Sequence, residues 1–79
     1  MTNNSELTYY TDGFRHLVCK PYSIENLHEM ARRLHIKRCW FHAHPTHPHY
    51  DIPQKKMYEV MRLCEIVPKR EIIEICRGG

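Results

Sequence analysis

The chain has 79 residues and a mass of 9.6 kDa. That is room for one hydrophobic core, and it excludes a two-domain enzyme, a long doubly wound sheet or a large barrel. Twelve Lys and Arg against nine Asp and Glu give a net charge of +3, and protonation of the seven histidines would carry it to about +10. A domain of this size buries only roughly 60% of its unfolded surface, so a metal, a partner or self-association into a homo-oligomer is an expected supplement to its stability.

Residues 1–6 read as a frayed start: Asn3, Asn4 and Ser5 are polar and there is no apolar core of an export signal. No apolar run approaches the about 18 residues of a membrane span, so no membrane partner is expected. The cysteines at 19, 39, 64 and 76 form no C-x-x-C pair and lie in or beside apolar segments. They suit buried thiols in a reducing cytoplasm better than a zinc ribbon or a disulfide framework.

Leu7–Thr11 carries the β-branched and aromatic residues of a strand, Asp12-Gly13 is a turn dipeptide, and Phe14–Cys19 reads as a second strand closing a hairpin. Pro21 and Tyr22 break it. Ser23 then caps a helix over Ile24–His35, with Ile24, Leu27, Ala31 and Leu34 as its apolar stripe and His28 beside it on the inward side. Arg38–His42 resembles a third strand, in which Trp40 is expected to bury the most area. The prolines at 45 and 48 make Ala43–Asp51 a stiff extended loop. Pro53 suits the first turn of a helix over Gln54–Cys64 that buries Met57, Val60, Met61 and Cys64. The tail, with Ile72, Ile73 and Cys76 on one face, reads as a helix opened by Pro68, although its β-branched content also fits a strand. The expected architecture is α+β or α/β: one globular domain over residues 7–77, about three strands packed against three helices, with residues 78–79 frayed.

The chemistry concentrates in the His/Pro tract. His42-x-His44 and His47-x-His49-x-Asp51 would put alternate side chains on a common face of an extended chain. Imidazole and carboxylate are ligands for zinc, manganese or nickel, and three protein ligands leave positions free for water or substrate. The plain alternative is a surface loop stiffened by proline. His49 and Asp51, where the tract meets the second helix, are the better placed of the set. A second group, Asp12, His16 and His28, converges if the hairpin packs on the first helix, although a turn aspartate and a core histidine explain them equally.

Tyr10-Thr-Asp12, His16-Leu, Leu27-His28, Ala31, Leu34, Phe41, His49-Tyr50-Asp51 and Arg70-Glu71, taken in order, resemble the short bacterial and phage proteins of domain-of-unknown-function family 4031 over residues 8–75. The His-Tyr-Asp piece is the most specific. The resemblance implies one shared site made by Asp12, His16, His28, His49, Asp51 and Arg70, with Tyr50 inside the motif. His16, His28, His49 and Asp51 are its metal candidates, and Asp12, Tyr50 and Arg70 its candidates for contacting a ligand. The family carries no established activity. Two departures, His35 and Cys64 where the family usually has glycine, put the helix C-caps in question.

Three functions compete. The first is a His/Asp site for a divalent metal or a phosphate-bearing small molecule, with hydrolysis an open question and Arg70 facing the anion. The second is a non-enzymatic module for a host protein or for nucleic acid, using Arg32, Arg33, Lys37, Arg38, Lys55, Lys56, Lys69 and Arg70. The third is a purely structural cluster of hydrogen-bonded histidines.

Overall fold

The turn at Asp12 organises the first hairpin of the computed structural model, which describes residues 6–78. Strands β1 (Thr8–Thr11) and β2 (His16–Lys20) pair antiparallel, Thr8 opposite Lys20 and Thr11 opposite Leu17. Their connection is longer than a two-residue Asp-Gly turn because the Asp12 carboxylate gathers it: Oδ1 accepts the N–H groups of Phe14 at 2.9 Å and of Arg15 and His16 at 3.3 Å. Gly13 takes φ +83°, a conformation it enters without a Cβ penalty. The fraying expected at residues 1–5 and 79 lies outside the described residues.

Ser23 caps helix α1 (Ile24–Arg33) as expected, accepting the Asn26 N–H at 3.0 Å, with Glu25 in the first turn and Arg32 and Arg33 in the last. The helix stops before His35, whose φ is 58°. The Ile36 N–H returns to the Ala31 carbonyl at 2.8 Å and the His35 N–H to the Arg32 carbonyl at 3.3 Å. These are the paired bonds of a Schellman closure, so His35 performs the left-handed step usually given to glycine. The apolar stripe also shifts. Ile24 is exposed, and fully buried Met30 joins Leu27, Ala31 and Leu34.

The third strand is shorter than expected, since Arg38–Trp40 is a 3₁₀ turn and only Phe41–His42 (β3) is extended. Trp40 is half-buried, and Tyr50 is the largest fully buried side chain. The His/Pro tract does not stay a loop to Asp51: directly after Pro48, His49–Asp51 forms strand β4, where no proline removes a backbone donor. It lies between β3 and β2, with Phe41 opposite Tyr50, His42 opposite His49, His16 opposite Asp51 and Leu17 opposite Tyr50.

Pro53 sits at the cap of α2 (Gln54–Val60) and not inside its first turn; the helix then tightens into a 3₁₀ turn, so Cys64 is extended and needs no glycine. Glu65–Ile66 adds an unexpected strand, β5, parallel to β1, and the Val67 N–H continues that pairing to the Thr11 carbonyl at 2.9 Å. Helix α3 (Lys69–Cys76) follows Pro68 as expected and buries Ile72, Ile75 and Cys76. The result is a small single-domain α+β fold of three helices and a five-stranded mixed sheet in the order β3-β4-β2-β1-β5, against the three strands expected.

Leu17, Val18 and Cys19 are consecutive and all fully buried. Since neighbours on a strand point to opposite faces, β2 must be covered on both. Cys19 and Cys76 are buried free thiols, whereas Cys39 is exposed and Cys64 half-buried, which corrects the expectation that all four lie inside. Among the described residues no helix is long and apolar enough to cross a membrane.

Candidate metal centre

Strand pairing assembles the site. Residues directly opposite each other on paired strands share a sheet face, so His16, His42, His49 and Asp51 fall on one face, while Leu17, Phe41 and Tyr50 fall on the other. The His16 and His49 rings are 5.0 Å apart, as are those of His42 and His49. One Asp51 oxygen, Oδ1, lies 3.3 Å from His49 Nε2 and 3.9 Å from His16 Nε2; the other, Oδ2, lies 3.3 Å from His42 Nδ1. One ligand atom from each of His16, His49 and Asp51 fits within 4.8 Å of the others.

A tetrahedral zinc bound at ordinary distances separates its ligand atoms by about 3.3 Å. The His49–Asp51 pair already has that spacing at 3.3 Å; His16 Nε2, at 3.9 Å from Asp51, must close by about 0.6 Å on the carboxylate and by up to about 1.5 Å on His49, since the set spans 4.8 Å. This is a movement within the reach of side-chain torsions.

The two imidazoles are also oriented. His16 Nδ1 lies 2.6 Å from Asp12 Oδ2, and His49 Nδ1 donates to the His47 carbonyl at 2.8 Å. Each ring therefore has an acceptor on Nδ1, which places a proton there and turns the Nε2 atom toward Asp51. This carboxylate or carbonyl support behind a ligating imidazole is the usual outer arrangement of metal sites. The Asp12 side chain is only 4% exposed. Burial alone would raise its pKa, but the His16 bond and the Phe14 and His16 N–H groups outweigh that and hold the carboxyl below its ordinary value. His47 packs at a tilt against His44 with 3.7 Å between centroids; burial, then the neighbouring imidazoles of His44, His49, His16 and His42, push its pKa down.

Not every residue assigned to the shared site arrives there. His28, on α1, bonds the Tyr50 hydroxyl through Nδ1 at 2.8 Å and packs edge-on against Phe41 at 4.7 Å. It thus belongs to the sheet face opposite His16 and His49. Burial, and then Arg38, lower the His28 pKa, as suits a neutral ring held in a core contact. Tyr50 is likewise a core residue, fully buried. Arg70 is exposed on the first turn of α3, with no contact to the cluster among the described residues. His42 and Arg15, absent from the resemblance-based site, stand beside Asp51 instead, with Arg15 Nε 3.8 Å from Oδ1. The His42-x-His44 spacing was a signal for the former; nothing in the local pattern marked Arg15.

Half of the cations considered for nucleic acid are engaged. Arg32 and Arg33 both bond Glu29, whose carboxyl these two guanidinium groups hold down at about 2. Lys56 pairs with Glu59 at 3.1 Å, and Lys37 lies over the Trp40 ring at 5.7 Å.

Comparison with known proteins returns a match over residues 4–78 to the family model described as "Protein of unknown function (DUF4031)". No curated protein and no solved structure matches the chain.

Proposed function

The chain belongs to the DUF4031 family, whose description names no activity, and from the site itself we propose that it is a divalent-metal-binding protein with His16, His49 and Asp51 as ligands. The observation that carries this reading is the pair of imidazoles whose Nδ1 atoms are already engaged, so that both Nε2 atoms face one carboxylate. His42 stands at the opposite Asp51 oxygen, where it can hold the carboxylate or supply a fourth ligand. Three protein ligands leave room for water, which a bound zinc or manganese ion would acidify for hydrolysis. The two-nitrogen, one-oxygen set suits zinc, manganese or nickel. The free thiols fit a reducing, cytoplasmic setting.

Titration calorimetry of the untagged protein with zinc, manganese and nickel tests the proposal. One equivalent should bind, with the melting temperature rising by linkage. His49→Ala should abolish the response, while His28→Ala should keep it. Absence of binding by all three ions, with no thermal shift, would leave the histidines as a structural cluster.

A further inference from the structure

We infer that the pocket beside Asp51 accepts a phosphorylated aromatic compound of mononucleotide size, its phosphoryl oxygens shared between Arg15 and the metal and its ring against Trp40. This rests on the metal reading above and names the ligand that site would take. The pocket has a volume of about 400 Å³ and is lined by Arg15, Trp40, Phe41, His42, Asp51 and Pro53 among others. Small-molecule sites span roughly 300–1,000 Å³, and this one shares Asp51 and His42 with the cluster. A ligand filling it therefore reaches the Asp51 carboxylate that would hold the metal.

Arg15 supplies the anion recognition expected earlier from Arg70. Its backbone is fixed on both sides, the N–H by Asp12 Oδ1 at 3.3 Å and the carbonyl by the Ile52 N–H at 2.7 Å. The side chain is 66% exposed, and its nearest approach to a carboxylate is Nε to Asp51 Oδ1, at 3.8 Å. Its two terminal amino groups have no partner among the described residues, and a planar guanidinium offers these to phosphate as a fork.

Asp51 imposes a condition. A carboxylate in the pocket wall repels a phosphate unless a cation stands between them, so anion binding must depend on the metal. Trp40 completes the class of ligand. It is half-buried in the wall beside Phe41, and an indole face is a stacking surface for a nucleobase of any identity. A free phosphate ion would use Arg15 and the metal but would leave that surface empty.

Trp40 is the only tryptophan in the chain, so intrinsic fluorescence reads the pocket directly. The full-length zinc-loaded protein is titrated with AMP, ribose 5-phosphate, adenosine and inorganic phosphate, with zinc affinity followed separately by calorimetry. AMP should quench Trp40 saturably, and only with zinc present. Ribose 5-phosphate, adenosine and inorganic phosphate should each bind about tenfold or more weakly. Arg15→Met should weaken AMP at least tenfold and change zinc affinity by much less than that, because the Arg15–Asp51 pair is long and exposed. Zinc binding with no AMP response, with AMP no tighter than inorganic phosphate, or with AMP indifferent to Arg15→Met overturns the pocket assignment alone. No zinc binding at all overturns the metal reading and this inference together.

Discussion

Asp12 and His16 are joined through Oδ2 and Nδ1 at 2.6 Å, while the other oxygen of the same carboxylate ties down the turn that carries His16. One side chain thus sets both the path of the backbone and the tautomer of the ring four residues on. The turn and the ring orientation thus share one carboxylate, whose two oxygens carry the two roles separately.

Asp12→Asn separates these two roles. The amide oxygen still accepts the turn N–H groups, but the charge behind His16 is gone. Loss of such outer support typically lowers metal affinity about 10–100-fold, and that is the fall expected by calorimetry, with the fold retained by circular dichroism. Asp12→Ala should melt earlier as well. In the parent, the Asp12 pKa lies below its unfolded value, so its contribution is present above about pH 4 and lost as pH falls through the folded value. The penalty of Asp12→Ala should therefore shrink as pH falls below about 4, so that its acid unfolding begins at lower pH than a uniform loss of stability predicts.

His35 offers a gain. It holds φ 58° at the close of α1, where an L-residue is strained by about 1 kcal/mol and glycine is not. The flanking bonds to Arg32 and Ala31 use only the backbone, so they survive substitution. His35→Gly should raise unfolding free energy by about 0.5–1 kcal/mol, measured by urea titration, with metal affinity unchanged. A loss of stability would mean that the His35 ring contributes a contact outweighing the backbone strain.

Several determinants of this arrangement lie open in the sequence. Ser23 before an apolar helical stripe marks α1, and Asp12-Gly13 marks the hairpin. The alternation in His47-x-His49-x-Asp51 points His49 and Asp51 the same way once the chain is extended. Other features are set by tertiary pairing alone. β4 is three residues long and β5 two, too short for any periodicity, and each exists because a neighbouring strand supplies its hydrogen bonds. His28 shows the same limit from another direction: its position on the helix places it facing inward, but only the sheet register decides that it meets Tyr50 and not His49. Arg15 is equally unmarked, because a cation in a turn acquires meaning only when β4 brings Asp51 alongside it.

The thiols govern behaviour at high pH. Burial raises Cys19 to about 12 and Cys64 to about 11 from an ordinary value of 9.0, and it raises Cys76 as well. Tyr22, desolvated while donating to the Pro48 carbonyl at 2.8 Å, is shifted upward too. An unfolded chain releases these protons from about pH 9 upward while the folded chain keeps them. Their stabilising contribution is thus complete below pH 9 and is lost as pH rises toward 12. Urea midpoints should hold steady from pH 7 to 9 and decline beyond it. In native protein at pH 8, a maleimide should label exposed Cys39 well before Cys19 or Cys76.

Tyr50 and His28 supply the test of which sheet face is which. Tyr50 sits between His49 and Asp51 in the chain, yet strand alternation turns its ring to the opposite side, where its hydroxyl meets His28 Nδ1 at 2.8 Å. Tyr50→Phe keeps the fully buried ring and removes only that bond. It leaves a half-buried imidazole nitrogen without its partner, for which a cost of about 1 kcal/mol is expected. Because His16, His49 and Asp51 lie across the sheet, zinc affinity should stay within about twofold of the parent. His28→Leu should behave alike: measurable loss in urea, none in calorimetry. If either variant instead weakened zinc by about tenfold or more, the two faces would be coupled through β4, and the metal site would have to include the His28–Tyr50 pair that its geometry leaves out.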